Sequence, residues 1–145
     1  MSTKEYLLQA FILKNLIKAK RSRIQELRDR QTWVGAMLSE VNVKSSPKHD
    51  RMGDLLATIL DLEEECLKDV VRLQDIEIEI KNLIEAINNA DCRLILYERY
   101  INLKRWATVA IDAGYSERQV HNLHEQGLRL IELHKASYLL NFKAV

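Results

Sequence analysis

The chain has 145 residues, of which 47% are hydrophobic and 30% charged, with only 4 Gly, 1 Pro and 2 Cys. That much apolar side chain excludes wholesale disorder, and so few turn formers exclude an all-β fold, which needs a turn every few residues. No run of 18 apolar residues occurs, so no membrane-spanning helix is expected.

The charge is uneven. Residues 1–50 carry 10 Lys/Arg and 5 Asp/Glu, residues 51–90 carry 4 and 10, and residues 91–145 carry 8 and 6. The formal net charge of +1 is an average over a basic, an acidic and a mildly basic segment.

The N-terminal stretch is interrupted by Lys14 and has no small-residue cleavage site, so no signal peptide is expected. Its apolar residues are periodic. Tyr6, Ala10, Leu13, Ile17, Lys20, Ile24, Leu27, Gln31, Val34 and Leu38 step alternately by four and three, the spacing of a heptad seam. The spacing predicts a helix from a Ser2 or Thr3 cap to about Glu40. The stretch Val41–Asp50 holds the only Pro and reads as a loop.

The pattern then returns. Leu55, Ile59, Leu62, Cys66, Asp69, Leu73, Ile76, Ile80, Leu83 and Ile87 repeat the same steps. Two seams of equal length joined by a short loop predict an antiparallel helical hairpin, with arms of roughly 50 Å at about 1.5 Å per residue. Lys20 and Asp69 are charged seam positions, open to two readings: tolerated exposure, or control of register. Cys66 reads as a small packing residue. Two cysteines without a pairing framework fit a reducing cytoplasm.

From Asn88 the heptad stops and shorter helices are expected, about 91–102 with Asp91 as cap, 105–113, and 117 to about 136. Gly114 reads as a helix C-cap, and Ser116 with Gln119 three residues on reads as a capping box. A helix, a glycine turn and a capped helix form a helix-turn-helix skeleton. In Trp106–His124, the residues Val109, Ala110, Val120 and Leu123 face inward, continued by Gly127, Leu128 and Ile131. Glu117, Arg118, His121 and Asn122 remain on the outer face of the second helix. Such a helix can present its first turns to base edges, where Arg pairs with guanine and Asn with adenine.

The stretch CRLILYERYINLKRWATVAIDAGYSERQVHNLHEQGLRLIE (Cys92–Glu132) resembles region 4 of sigma factors and the related domain of phage ArpU-like and RinA-like transcriptional regulators. The resemblance is carried by Leu96, Arg99-Tyr100-Ile101, Trp106, Val109-Ala110, Gly114-Tyr115-Ser116, Glu117-Arg118, Val120, His124 and Leu128. MGDLLATILDLEEE (Met52–Glu65) is similar to the arm preceding that domain in a small phage-encoded family. Two departures stand out. Leu103-Lys104-Arg105 replaces the usual Gly, apolar residue and Ser/Thr cap, and Ala107-Thr108 replaces an acidic pair.

The resemblance implies an all-α protein: an antiparallel hairpin arm over residues 1–89, a sigma-region-4-like helix-turn-helix domain over 90–136, and a tail over 137–145. It implies a transcriptional regulator, an activator of phage or prophage genes in the host bacterial cytoplasm, that reads double-stranded DNA with helix 117–136. The DNA-contacting set is Lys104, Arg105, Ser116, Glu117, Arg118, Gln119, His121 and Asn122, with Lys104 and Arg105 on phosphates. Contact with RNA polymerase is a further implication of the resemblance, and a helical arm that can self-associate together with paired DNA half-sites points to a homodimer. The alternative is a coiled-coil protein that binds RNA polymerase or a sigma factor without reading DNA. Enzyme motifs are missing, so neither catalysis nor a small-molecule substrate is expected. His121, His124 and His134 share a helix without a completing ligand, so no metal or other cofactor is expected.

Overall fold

A computed structural model describes residues 1–40 and 47–143, and the side chains of residues 1–37 and 51–137. Among these residues helices are the only regular secondary structure, without strands. The elements are α1 (Thr3–Glu40), α2 (Pro47–Glu85), α3 (Ala90–Leu96), a π-helical turn (Tyr97–Ile101), α4 (Trp106–Ala113) and α5 (Glu117–Lys143).

The two long helices pack together, and both expected seams supply the buried faces. Of the loop expected over Val41–Asp50, residues 41–46 lie outside the described residues, whereas 47–50 are helical. Pro47 sits first in α2, where its fixed φ suits a helix and its missing N–H would have had no intrahelical acceptor. At the other end of the chain, α5 runs past the expected end at Ala136 to Lys143, because no Gly or Pro interrupts residues 128–143.

The chain divides into two compact units. One is Leu13–Leu73, and the other is Met1–Ile12 with Gln74–Val145. Within the first, Ile17, Ile24, Leu27, Ile59 and Cys66 are buried. Lys20 meets Asp69, and Arg28 meets Glu63. Residue number rises along α1 as it falls along α2, so the helices run antiparallel there.

The second unit is assembled around α5. Ile95, Val109, Ala110 and Val120 form a buried cluster, flanked by Trp106, Ala113, Tyr115 and Leu123. The start of α1 is held to α5, where the Thr3 hydroxyl donates to Glu132 at 3.1 Å and Lys135 Nζ lies 4.3 Å from the Tyr6 ring centroid. The Tyr6 hydroxyl donates to Glu79 of α2. α3 and α5 approach closely at Gly127, where an added Cβ would stand 2.8 Å from Leu96 Cδ1. None of these ties was legible from the seam.

Candidate functional site

The junction of α4 and α5 is built from local chemistry. Gly114 ends α4 with φ 71° and ψ 26°, a left-handed conformation that lacks steric cost only for glycine. Its N–H bonds back to Ile111 at 3.3 Å, and that of Tyr115 to Ala110 at 3.0 Å, which satisfies the last carbonyls of the helix. Ser116 and Gln119 then form the reciprocal box. The Gln119 N–H donates to Ser116 Oγ at 3.2 Å, and the Ser116 N–H donates to Gln119 Oε1 at 2.9 Å. Tyr115 braces the turn by donating its hydroxyl to Asp91 at 2.9 Å.

Asp91 is therefore not the cap of α3. Asn89 is, accepting the Cys92 N–H on Oδ1 at 3.1 Å. Both residue types can cap a helix start, and Asp91 is engaged from across the fold.

The first turns of α5 divide cleanly by side. Val120 and His124 are buried and Leu123 is half-buried, while Glu117, Arg118, His121 and Asn122 are exposed. Among the described residues, the side chains of Glu117, Arg118 and Asn122 make no hydrogen bond or ion pair. Ser116 and Gln119 lie on the same end, but their side chains serve the cap. His121 is exposed yet not isolated, since its ring lies tilted against Trp106 with centroids 4.9 Å apart.

Trp106 is the hub of a cluster that the sequence did not announce. The Arg99 guanidinium lies over its ring at 4.6 Å, and His124 meets it edge-on at 4.7 Å. His124 Nε2 shares a 2.6 Å hydrogen bond with the Tyr100 hydroxyl. Burial pushes the His124 imidazole down to about 4 and the Tyr100 phenol up to about 12, so both are neutral near pH 7. The available signal was the i, i+3 spacing of His121 and His124, which sets two rings toward one neighbour.

The two basic residues before α4 differ. Lys104 Nζ bonds Asp112 at 2.8 Å and also pairs with Glu98. Those hydrogen bonds, to Asp112 first, hold its ammonium above the usual lysine range. Lys104 thus faces two carboxylates of its own chain, which compete with any phosphate. Arg105 is exposed and stands at the N-cap of α4 without a side-chain capping bond. Leu103, two residues earlier, has φ 55°, an uncommon left-handed conformation for a branched apolar residue.

Cys66 and Cys92 are buried free thiols, and burial chiefly pushes the Cys92 thiol up. Among the described residues, no group of three or more His, Cys, Asp and Glu could hold a metal ion, and no helix is long and apolar enough to cross a membrane.

No family model matches the chain, and no curated protein and no solved structure matches it either.

Proposed function

We propose that the chain is a sequence-specific, double-stranded-DNA-binding transcriptional regulator of the sigma-region-4-like, ArpU/RinA-like kind, and that the start of α5 enters the major groove. The observation that carries this reading is the separation of the first turns of α5. Val120 and His124 anchor the helix in the unit below, while Arg118 and Asn122, the residue types that pair with guanine and adenine edges, stand exposed without side-chain partners among the described residues. The capping box leaves these positions in the first turns of the helix, where a recognition helix makes its base contacts. Leu103 lends support. It occupies the position at which the resembled pattern has Gly, and its backbone is left-handed.

In this reading Arg118 and Asn122 read bases, Glu117 and His121 flank them, and Arg105 contacts phosphate. Ser116 and Gln119 position the helix, and Lys104 ties the corner together through Glu98 and Asp112. The protein acts as a homodimer on paired half-sites and contacts RNA polymerase. The pairing of Lys104 favours one competing reading, a coiled-coil module that binds RNA polymerase or a sigma factor without DNA readout, because it removes a positive charge from the corner.

Selection of duplexes from a random library at moderate salt, followed by sequencing, separates the two. A recurring motif is expected. Bound duplexes with no shared sequence, or none bound, would leave the protein-binding reading standing instead.

A further inference from the structure

Within the unit Leu13–Leu73, one side of the hairpin sorts charge and apolar surface between its two helices. On α1, Lys14, Lys18, Arg21, Gln25 and Arg28 step by four and three residues and so share a row beside the seam. On α2, Leu56, Leu60, Glu63, Leu67 and Val70 step in the same way. The two rows border the same side of the hairpin. Arg28 meets Glu63, and Arg21, Gln25, Glu63, Leu67 and Val70 wall one open groove of about 450 Å³. The buried seam residues Ile24 and Cys66 form its floor.

The cations in this part of α1 fall into two sets. Lys20, Arg23, Arg28 and Arg30 each hold a carboxylate. Lys14, Lys18 and Arg21 are exposed and have no side-chain partner among the described residues. Those three are consecutive members of the row. Glu63 is the one carboxylate in either row, and Arg28 already occupies it. On the α2 edge, Leu56, Leu60 and Leu67 are 42%, 53% and 67% exposed. Because the helices are antiparallel, the three cations lie to one side of the Arg28–Glu63 pair, with Leu67 and Val70, and Leu56 and Leu60 lie to the other. The rows together extend over roughly 30 Å at about 1.5 Å per residue, the length of a helix of about 20 residues.

We infer that this groove receives an acidic amphipathic helix of another protein. Its apolar side lies on the leucine edge of α2, and its carboxylates meet Lys14, Lys18 and Arg21. Charge complementarity selects this occupant. The three cations have no counter-charge within the face, so a second copy docking through the same face would bring cations and leucines but no carboxylate to match them. A DNA backbone would supply the negative charge but would leave the exposed leucines in water. A bilayer surface is flat and does not reach the groove floor. A helix satisfies both edges, since its own ridge of side chains enters a groove between two helices. The leucines supply the attraction, and the cations fix the direction and exclude basic helices.

The inference does not depend on DNA reading by α5. Fluorescence anisotropy of the full chain with a labelled amphipathic peptide of that length, leucine on one side and glutamate on the flank, tests it. Saturable binding that weakens with added salt is expected, and the same peptide with lysine for glutamate is expected not to bind. Lys18→Glu with Arg21→Glu is expected to weaken the glutamate peptide by at least about 5-fold and to gain the lysine peptide. Leu60→Gln with Leu67→Gln is expected to weaken it by at least about 10-fold. All four side chains are exposed, so helical circular dichroism is expected to be unchanged in both variants. No saturable binding, equal binding of the two peptides, or full affinity in either variant would overturn the inference. So would a dimer of the full chain that the same variants dissociate. Binding of a random-sequence duplex or of phosphatidylglycerol vesicles, lost in Lys18→Glu with Arg21→Glu while the peptide does not bind, would assign the cations to phosphate instead and overturn it too.

Discussion

Lys20 and Asp69, the charged members of two otherwise apolar seams, bind each other, with Lys20 Nζ 2.5 Å from Asp69 Oδ2. Each is only partly exposed, and Glu65 Oε2 adds a second carboxylate oxygen at 3.6 Å from the ammonium. The hydrogen bond to Asp69 is the main reason the lysine is held above its usual range. One such pair penalises every slipped register of α1 on α2, because a slip sets both charges against apolar neighbours. Lys20→Leu is expected to lower the melting temperature by leaving Asp69 without its partner. Lys20→Leu with Asp69→Leu is expected to recover it to at least the wild-type value. Thermal unfolding followed by circular dichroism checks this, and equal melting of the single and double variants would contradict it.

Gly127 sets the spacing of α3 and α5. A Cβ there would stand 2.8 Å from Leu96 Cδ1, 3.2 Å from Leu96 Cγ and 3.5 Å from Cys92 Cβ. Leu96 and Cys92 are fully buried and have little room to yield. Overpacking of this kind costs about 1–3 kcal/mol, against a helix-propensity gain of about 1 kcal/mol for Gly→Ala. Gly127→Ala is expected to be neutral at best and to destabilise by up to about 2 kcal/mol on these magnitudes. Gly127→Val is expected to be worse. Urea unfolding measures both, and a Gly127→Ala variant clearly more stable than wild type would show that the helices can separate freely.

His124 makes stability pH-dependent. Its imidazole is 3% exposed and is pushed down to about 4, first by burial; Lys4, His121 and Arg99 add to the shift and Glu125 opposes it. An unfolded histidine titrates near 6.5. Between those values the unfolded chain binds the extra proton, so the His124 contribution is complete above about pH 6.5. It is lost as pH falls toward about 4, at up to about 1.4 kcal/mol per pH unit. His124→Phe removes this contribution, so its unfolding free energy is expected to fall less steeply with pH across that window. Parallel curves for wild type and variant would contradict the assignment.

Arg105 stands at a helix start that has no side-chain cap. Arg105→Ser supplies an acceptor for the first N–H groups of α4 and is expected to stabilise the fold by about 0.5–2 kcal/mol. The same change removes an exposed cation from the proposed phosphate-facing corner, so DNA affinity is expected to fall and its salt dependence to become shallower. Unchanged DNA affinity and salt dependence would remove Arg105 from the DNA surface.

The seams were legible because a heptad repeat states its buried face in the sequence alone. Every seam position with a described side chain is buried or half-buried. Gly114, Ser116 and Gln119 were legible for a similar reason, since caps are made by residues within a few positions of one another. What escaped was tertiary. Nothing local distinguishes Asn89 from Asp91 as a cap until the Tyr115 hydroxyl takes Asp91. The pairing of Lys20 with Asp69 needs the register of two helices, not the pattern of one. The π-helical turn over Tyr97–Ile101, closed by the Asn102 N–H on the Tyr97 carbonyl at 3.1 Å, has no propensity signal. The packing of Arg99, His121 and His124 around Trp106 joins three elements. Leu103 was visible as a departure from the resembled pattern, but its left-handed backbone was not.

The central claim is that α5 reads bases through Arg118. The most direct measurement is the affinity of Arg118→Ala for a duplex selected by the wild-type protein, compared with a scrambled duplex of the same length and salt. The account predicts a loss of about 5- to 150-fold on the selected duplex, the equivalent of about 1–3 kcal/mol for a bidentate base contact, with a much smaller loss on the scrambled one. Equal losses on both duplexes, or none on either, would contradict it.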